Sequence, residues 1–317
     1  MRVLLAGGTG TLGVPLIKSL RAHDHEVLAI VRGSNGEARV RELGAEAVFA
    51  DVMHRDSLLR AVERLHADAV INELTALRKT PLKHSDMTAT NALRTRGTTH
   101  LLEAARSVGA TRFLTQSIAF GYGYYDHGDT VLTEDSPFGQ PRGDAFDPHL
   151  EAMLSTEQQV FDAERIDGIS LRYGLLYGED IDKVAAMLRK RSLPMPKTGG
   201  LLPFIHHRDA ANATVAALTR GVADSAYNIV DDHPATFRQL VTAIAEARHA
   251  PRPLTLPSWL LRAVAPYGGV VLDGVSMTVS NAKARSELGW MPEYPTYRDG
   301  VASAPELPSF RARTGRP

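Results

Sequence analysis

The sequence predicts an α/β fold in which helices cover both faces of a parallel sheet and a smaller C-terminal lobe follows. Over roughly the first 175 residues, short runs of leucine or β-branched residues alternate with amphipathic stretches, and this alternation is typical of a doubly wound parallel sheet. A glycine-rich segment directly follows the first run. After Gly178 the pattern loosens and prolines interrupt it, which indicates shorter elements.

Six apolar runs are the predicted strands of the sheet. Right-handed helical crossovers are the default connection between such strands. In chain order the runs are residues 2–6, 27–31, 47–50, 69–72, 113–117 and 169–172. The predicted helices between them include residues 12–20, 57–65, 92–108 and 151–163, whose apolar positions recur at helical spacing.

The glycine-rich segment runs from Gly7 to Gly13 and has the spacing G-x-x-G-x-x-G. Gly7 permits a tight strand-to-helix turn, Gly10 lets the backbone approach a pyrophosphate, and Gly13 lets the helix pack closely on the strand. The helix N-terminus then faces the anion. Such a segment can also be a plain turn, but its position between a strand and a helix favours a Rossmann-type dinucleotide site. We expect cofactor contacts from Gly7, Thr9, Gly10, Thr11, Leu12 and Gly13.

The end of the second predicted strand carries no acid where an NAD-specific protein places one on the ribose hydroxyls. Arg32 stands there, and its guanidinium matches the geometry of a 2′-phosphate. NADP(H) is therefore the preferred cofactor and NAD(H) the alternative, with Arg39 as a second candidate contact. The other interpretation of Arg32 is a solvated surface side chain. Asp51 and Val52, after the third strand, are expected beside the adenine.

Composition excludes several classes of function. The 317 residues contain no cysteine, which excludes disulfides, thiolate nucleophiles and iron-sulfur clusters. The 36 Lys and Arg balance 36 Asp and Glu, so we expect no nucleic-acid or membrane partner. No long apolar run occurs, and the pairs His23/His25 and His206/His207 lack a third ligand at convincing spacing. We expect a cytoplasmic monomer or homodimer without a metal site.

The predicted domains follow from the change of pattern at Gly178. Residues 1–178 are expected to form mainly the dinucleotide-binding domain. Residues 179–305 are expected to form mainly a substrate-binding lobe, with exchange of strands or helices between the two. The Pro- and Arg-rich residues 306–317 carry little to bury and are expected to be a flexible tail.

Short segments that match one family's pattern run through almost the whole chain. They are Asn91 with Gly97-Thr98, residues 101–105 and 112–117, Tyr122-Gly123, residues 171–174, Tyr177-Gly178, and residues 282–285 and 288–292. Together with the glycine-rich segment they resemble the extended and atypical short-chain dehydrogenase/reductases, a group that includes nucleotide-sugar epimerases and dehydratases. The resemblance implies cofactor contacts at Gln116 and at the backbone of Tyr173 and Leu175, beside the nicotinamide.

The resemblance also shows where this chain departs from the family. The family implies a Tyr-x-x-x-Lys pair that lies four residues before a Glu on a long helix. With Glu157 as that Glu, the Lys position falls on Met153 and the Tyr position on His149, so the pair is absent. His149 is a candidate proton donor, because imidazole titrates near neutral pH, or alternatively an inert packing residue.

The family's serine or threonine at the end of the fifth strand is also displaced. Alignment on Tyr122-Gly123 puts Ile118 at that position and Ser117 one place before it, and a shift of one residue turns a side chain to the other face of a sheet. Ser117 is a candidate catalytic residue if the strand ends in a bend or bulge. The alternative is a structural hydroxyl.

Hydride transfer to a ketone makes an alkoxide that must be protonated. The candidate sources are His149, the tyrosines of the following loop, water, or a phenol on the substrate itself. Atypical ketoreductases of aromatic polyketide antibiotic pathways resemble this arrangement. The first hypothesis is an NADPH-dependent ketoreductase for a bulky, aromatic polyketide ketone, a small-molecule carbonyl substrate. The alternatives are a non-catalytic NADP(H)-sensing regulator or scaffold, and a nucleotide-sugar epimerase or dehydratase.

Overall fold

A computed structural model of the chain describes residues 1–77 and 79–303. The tail predicted at residues 306–317 lies outside the described residues. The strands of the described part are β1 (Arg2–Ala6), β2 (Glu26–Val31), β3 (Glu46–Phe49), β4 (Ala69–Asn72), β5 (Arg112–Ile118), β6 (Asp126–Leu132), β7 (Asp167–Tyr173), β8 (Leu175–Tyr177), β9 (Met195–Pro196), β10 (Phe204–His206), β11 (Ser225–Ile229), β12 (Thr255–Leu256) and β13 (Ser276–Val279).

The helices follow the strands in the order that a doubly wound sheet requires. They are α1 (Gly13–Ala22), α2 (Ser34–Glu42), α3 (Arg55–Val62), α4 (Thr88–Ala92), α5 (Thr98–Ser107), α6 (Asp147–Phe161), α7 (Ile181–Arg189), α8 (His207–Arg220), α9 (Phe237–Ala247), α10 (Ser258–Val264), α11 (Pro266–Asp273), α12 (Ala282–Leu288) and α13 (Tyr297–Ala302). Single 3₁₀ turns span His84–Met87 and Ala119–Tyr122, and a π-helical turn spans Leu93–Gly97.

Seven parallel strands form the main sheet in the order β3-β2-β1-β4-β5-β7-β11. The predicted fold class is confirmed, and each of the six predicted strands is present within a few residues of its expected bounds. The helix predicted over residues 92–108 is interrupted, because the π-helical turn separates α4 from α5. β11 completes the sheet from a segment that the sequence placed in the C-terminal lobe.

The core of the main domain lies in two layers, one on each face of the sheet. On one face Leu5, Leu114 and Leu171 are buried against α1 and α8. On the other face Val70 and Phe113 are buried against α3, α5 and α6. Strands buried on both faces explain why the sequence shows near-continuous apolar runs rather than strict alternation.

Strands and helices are exchanged across the predicted boundary at residue 178. β11 and α8 come from the second half of the chain but belong to the main sheet and its covering layer. In the opposite direction, β6 comes from the first half and pairs with β13 in the C-terminal lobe. The C-terminal lobe also contains α7, α9, α10 and α11 and the small pairs β8/β10 and β9/β12.

A buried ion pair fastens α6 to the sheet. Arg172 on β7 donates to Glu157 on α6, with Nη2 to Oε2 at 2.7 Å, and the two side chains are 8% and 3% exposed. Arg172 Nη1 also donates to the hydroxyl of Tyr122 at 3.1 Å, and that hydroxyl donates to Asn228 Oδ1 at 2.7 Å. The network holds α6, the sheet and the segment after β5 in one arrangement.

We expect Glu157→Gln to lower the free energy of unfolding by about 3–5 kcal/mol, because it leaves the Arg172 cation buried without its partner. Denaturant unfolding followed by circular dichroism measures the change. The matched control is Glu246→Gln, which removes an exposed partner of Arg252 and is expected to cost about 1 kcal/mol or less. Equal costs in the two variants would show that the buried pair does not hold α6.

Candidate active site

The glycine-rich segment has the backbone geometry of a pyrophosphate cradle. Gly7 has φ +97°, and its carbonyl accepts from the Gly10 N–H at 2.9 Å. α1 begins at Gly13, where an added Cβ would lie 2.2 Å from the Gly7 oxygen. The first turn of α1 contains no acidic residue, so its N-terminal N–H groups and dipole favour an anion. The chain therefore fits a dinucleotide at this position.

The carboxyl ends of β1, β2 and β3 lie side by side and bring the predicted adenine-end residues to one edge of the sheet. Arg32 is exposed at the end of β2, and Arg39 is exposed on α2. Asp51 is half-buried, and its Oδ1 accepts from the Met53 N–H at 2.9 Å. Val52 is buried below it. The edge thus offers a free guanidinium and a carboxylate that is fixed in a local turn.

At the end of β5, Ser117 and Ile118, the two residues that could occupy the family's serine position, lie on opposite faces of the sheet. Ser117 is buried, and its Oγ has no hydrogen-bond partner among the described residues. It pairs in register with Arg172, so it points to the face of the sheet that α6 covers. Ile118 lies on the opposite face and packs against the core of the C-terminal lobe. Gln116 Nε2 donates to the Leu74 carbonyl at 2.6 Å.

Tyr173 lies at the end of β7, and its side chain is buried. Its hydroxyl donates to Glu73 Oε1 at 2.9 Å and lies 2.6 Å from Thr214 Oγ1. The Leu175 N–H donates to the Pro203 carbonyl at 2.8 Å. These hydrogen bonds fix Tyr173 and Leu175, whose backbone is expected to lie beside the nicotinamide.

Glu73 is a buried acid that sequence reasoning missed. It follows β4 directly, and burial raises its pKa to about 8. Its Oε2 has no partner among the described residues. A Cβ added at Gly7 would lie 2.5 Å from the backbone carbonyl oxygen of Glu73. Glu73 therefore packs against the glycine-rich segment. The only available signal was a carboxylate at the end of an apolar strand.

His149 occupies the family's tyrosine position on α6 and is 3% exposed. Its Nδ1 lies 2.9 Å from Asn91 Nδ2, and its Nε2 lies 3.0 Å from His84 Nδ1. Asn91 Nδ2 also donates to the Pro148 carbonyl, which can only accept, so the amide nitrogen faces His149. His149 Nδ1 is therefore an acceptor, and its proton lies on Nε2 and is donated to His84.

His149 is neutral near pH 7. Burial, together with the charges of His84 and Arg94, lowers the pKa of His149 to about 4. Met153, at the family's lysine position, is fully buried in the apolar core. A neutral imidazole with both nitrogens bonded inside the protein supplies no proton directly to a ligand. The role predicted for His149 as proton donor stays a prediction, and its only route in this geometry passes through His84.

Four aromatic side chains pack around His149, namely those of His84, Tyr124, Phe146 and Tyr267. We call these four side chains, together with His149, the aromatic cluster. The ring centroids of Tyr124 and Phe146 lie 4.5 Å apart, those of His84 and Phe146 lie 4.7 Å apart, and those of His149 and Tyr267 lie 5.3 Å apart. Tyr267 comes from α11 of the C-terminal lobe, so the cluster lies where the two parts of the molecule meet.

Arg94, on the π-helical turn, is the charged neighbour of the aromatic cluster. Its charge acts on His149 and on both tyrosines. Sequence reasoning missed Arg94, His84 and Tyr267, because no local motif marks them and they come from three separate segments.

Neither a membrane span nor a metal cluster is found in residues 1–77 and 79–303. No helix there is long and apolar enough to cross a membrane, and no group of three His, Asp or Glu is placed to hold a metal ion.

The parallel sheet and the glycine cradle are those of the Rossmann class of dinucleotide-binding proteins. Residues 3–230 match the model of the NAD dependent epimerase/dehydratase family, more than half of the chain. The protein belongs to that family, and the predicted resemblance to the extended short-chain dehydrogenase/reductases is confirmed.

Two proteins that are similar to this chain are named as reductases. A 3-diazoavenalumate denitrifying reductase of Streptomyces sp is 37% identical over 312 residues, which cover 95% of this chain and 99% of the relative. A 4-hydroxy-2-methyl-3-oxo-4-farnesyl-3,4-dihydroquinoline-1-oxide ketoreductase of Stigmatella aurantiaca is 24% identical and covers 92% of each chain.

Among solved structures, a UDP-glucose 4-epimerase of Thermus thermophilus in complex with NAD superposes with a TM-score of 0.75. The alignment covers 95% of this chain and 97% of the epimerase at 21% identity. This likeness confirms the fold.

We expect Gly13→Ala to weaken binding of NADPH by about 100-fold, equivalent to ~2.7 kcal/mol, because the added methyl group displaces the Gly7 carbonyl and opens the cradle. Titration calorimetry measures the affinity. The matched control is Gly97→Ala, whose added Cβ has its nearest neighbour at 3.5 Å and should leave the affinity unchanged. Wild-type affinity in Gly13→Ala would refute the cradle.

Proposed function

We propose that the protein is a cytoplasmic, NADPH-dependent reductase whose small-molecule substrate is a hydroxy-aryl compound that needs no acid from the protein. The observation that carries the proposal is the state of His149. It stands at the family's tyrosine position, is neutral at pH 7 and has both ring nitrogens bonded within the protein. The apolar Met153 stands where the lysine would lower a tyrosine pKa.

The missing acid restricts the substrates that suit this site. NADPH, when bound, supplies a hydride. A ketone without a neighbouring phenol then becomes an alkoxide. An alkoxide is a strong base that does not persist in water, so its formation needs a positioned acid. A phenol has a pKa near 10, as in tyrosine, so a reduction that ends in a phenolate needs only solvent to complete it.

Reductive denitrification of a hydroxy-aryl diazo compound is the reaction that this argument favours most. In the neutral diazo form of such a compound, the ring oxygen has already lost its proton. The ring carbon gains a C–H bond from the hydride, the C–N bond breaks, and N₂ leaves with the electron pair of that bond. The product is a phenolate, which takes a proton from water. The relative that is named a denitrifying reductase of 3-diazoavenalumate aligns over almost its whole length with this chain, and this supports the same reaction class here.

Reduction of a phenolic aromatic ketone, such as an aromatic polyketide, is the second candidate. The carbonyl carbon gains the hydride, and the adjacent phenol gives its proton to the new alkoxide, so that this reaction also ends in a phenolate. The ketoreductase relative from Stigmatella aurantiaca, which aligns over 92% of each chain, favours it. Both candidate reactions use the same protein groups.

The remaining alternatives have less support. A nucleotide-sugar epimerase or dehydratase would rely on the tyrosine and lysine that His149 and Met153 replace. A non-catalytic NADP(H) sensor would explain the loss of the pair, but it does not explain why a histidine, a guanidinium and two tyrosine hydroxyls are gathered in one cluster. Perturbed titratable groups that cluster in this way are typical of functional sites.

NADPH is the proposed cofactor because β2 is followed by the exposed Arg32 and not by an acid. We expect Arg32→Ala to weaken NADPH binding by about 10- to 100-fold, the value of a charge-assisted contact, and to leave NADH binding unchanged. Fluorescence titration with both cofactors measures this. Arg41→Ala is the control, since Arg41 pairs with Glu37 at 2.8 Å on the same helix. Equal losses for both cofactors would contradict the 2′-phosphate contact.

The reaction itself is tested with NADPH that carries deuterium at the transferred position. We expect hydroxy-aryl diazo compounds to yield an arene that carries deuterium on the ring carbon that lost nitrogen, with phenolic ketones giving deuterated carbinols more slowly. Mass spectrometry of the products distinguishes the two. Turnover of simple ketones without a phenol, at rates equal to these, would contradict the proposal.

The same assay with His149→Phe decides the role of His149. Because the proposal needs no protein acid, the variant should keep at least about a tenth of the wild-type kcat. A loss of about 10²–10⁴-fold, the contribution of a general acid, would assign the proton to His149 and His84 instead. No turnover by either protein with any such compound would favour the sensor.

A further inference from the structure

Arg94 is a half-buried cation for which the described residues provide no anion. It lies on the π-helical turn between α4 and α5, and such turns are frequent at functional sites. Its Nη1 is buried without a hydrogen-bond partner, and none of the ion pairs among the described residues includes it. Burial of the guanidinium lowers the pKa of Arg94.

The titratable groups that interact with this charge are two tyrosine hydroxyls. Tyr124 and Tyr267 both act on the charge of Arg94, and burial raises the pKa of each, so both remain neutral phenols. Their hydroxyl oxygens lie 3.4 Å apart. The acids of the adjoining segments are occupied elsewhere: Asp86 accepts from the N–H groups of Leu82 and Lys83, and Asp147 from those of residues 142–144.

The surroundings of these polar groups are flat and aromatic. Phe146 packs on Tyr124 and on Tyr267, with ring centroids 4.5 and 5.5 Å away. The His84 ring meets the rings of Phe146 and Tyr267 edge-on. An uncompensated guanidinium beside two hydroxyl donors is complementary to an oxyanion, and aromatic rings are complementary to an aromatic ligand. Because the Nη1 of Arg94 is buried without a partner, an anion that accepts from it would stabilise the guanidinium.

We infer that Arg94, with the hydroxyls of Tyr124 and Tyr267, forms a site that binds an anionic oxygen of an aromatic ligand, either a phenolate or a ring-linked carboxylate. The inference takes its substrate class from the proposed function, since both candidate reactions end in a phenolate. In that reaction the site stabilises the negative charge that forms on the phenol oxygen when hydride arrives. It thereby selects acidic aromatic substrates.

Binding without turnover tests this site. The probes are 4-hydroxycinnamate, its methyl ester, which keeps only the phenol, and 4-methoxycinnamate, which keeps only the carboxylate. Their affinities are measured by titration calorimetry on the full chain saturated with NADP⁺. We expect Arg94→Gln to weaken 4-hydroxycinnamate by about 10- to 100-fold and Arg94→Lys to weaken it less. Arg96→Gln, an exposed arginine on the same turn, is the control and should bind as wild type does.

The two single-group probes identify the oxygen. The site binds a phenolate if Arg94→Gln loses affinity for the methyl ester and if the ester shows phenolate absorbance when the wild-type protein binds it. Loss of 4-methoxycinnamate instead assigns a carboxylate site. The absorbance measurement uses only wild-type protein, so it decides the matter even if Arg94→Gln fails to fold.

Unchanged affinity of all three probes in Arg94→Gln would overturn the inference, as would a bound ester that keeps its neutral spectrum while 4-methoxycinnamate fails to bind. The outcome is separate from that of the proposed function. Probes held through Arg94 in a protein that reduces no hydroxy-aryl compound would leave the anion site standing and refute the reaction.

Discussion

The buried ion pair between Arg172 and Glu157 is the interaction on which the arrangement of the site depends. It joins α6 to β7, and through Tyr122 it reaches the segment that leaves β5. α6 carries His149 at its N-terminal end, and the segment after β5 carries Tyr124. One buried charged network therefore positions both His149 and Tyr124. Loss of either Arg172 or Glu157 is costly, because the remaining partner would be buried without its counter-charge.

The electrostatics of the cluster follow from that burial. A neutral His149, protonated tyrosine hydroxyls and an Arg94 without an anion among the described residues make a site that is rich in groups that stabilise negative charge. The usual family site does the opposite, since its tyrosine gives up a proton. Catalysis here is thus expected to come from positioning the hydride acceptor and stabilising the oxyanion that forms.

Much of the fold was predictable, because its signals are local. The glycine-rich segment, the apolar strands and the helix that contains Glu157 each occupy a short stretch of sequence. The absence of the tyrosine and lysine followed from counting back along that helix from Glu157. The site was predictable only in part. His84, Arg94 and Tyr267 meet through tertiary packing, the π-helical turn has no sequence signal, and β11 joined the sheet from beyond the predicted boundary because long-range pairing is not encoded locally.

The most direct test of the central claim, that no protein acid takes part in hydride transfer, is a pair of isotope effects on kcat/KM. Wild-type protein is assayed with a hydroxy-aryl diazo substrate, first with NADPH deuterated at the transferred position and then with ordinary NADPH in heavy water. The account predicts a clear primary effect from the cofactor and a solvent effect near unity. A solvent effect that is clearly above unity and disappears in His149→Phe would contradict it, because a proton held by the protein would then move in the same step.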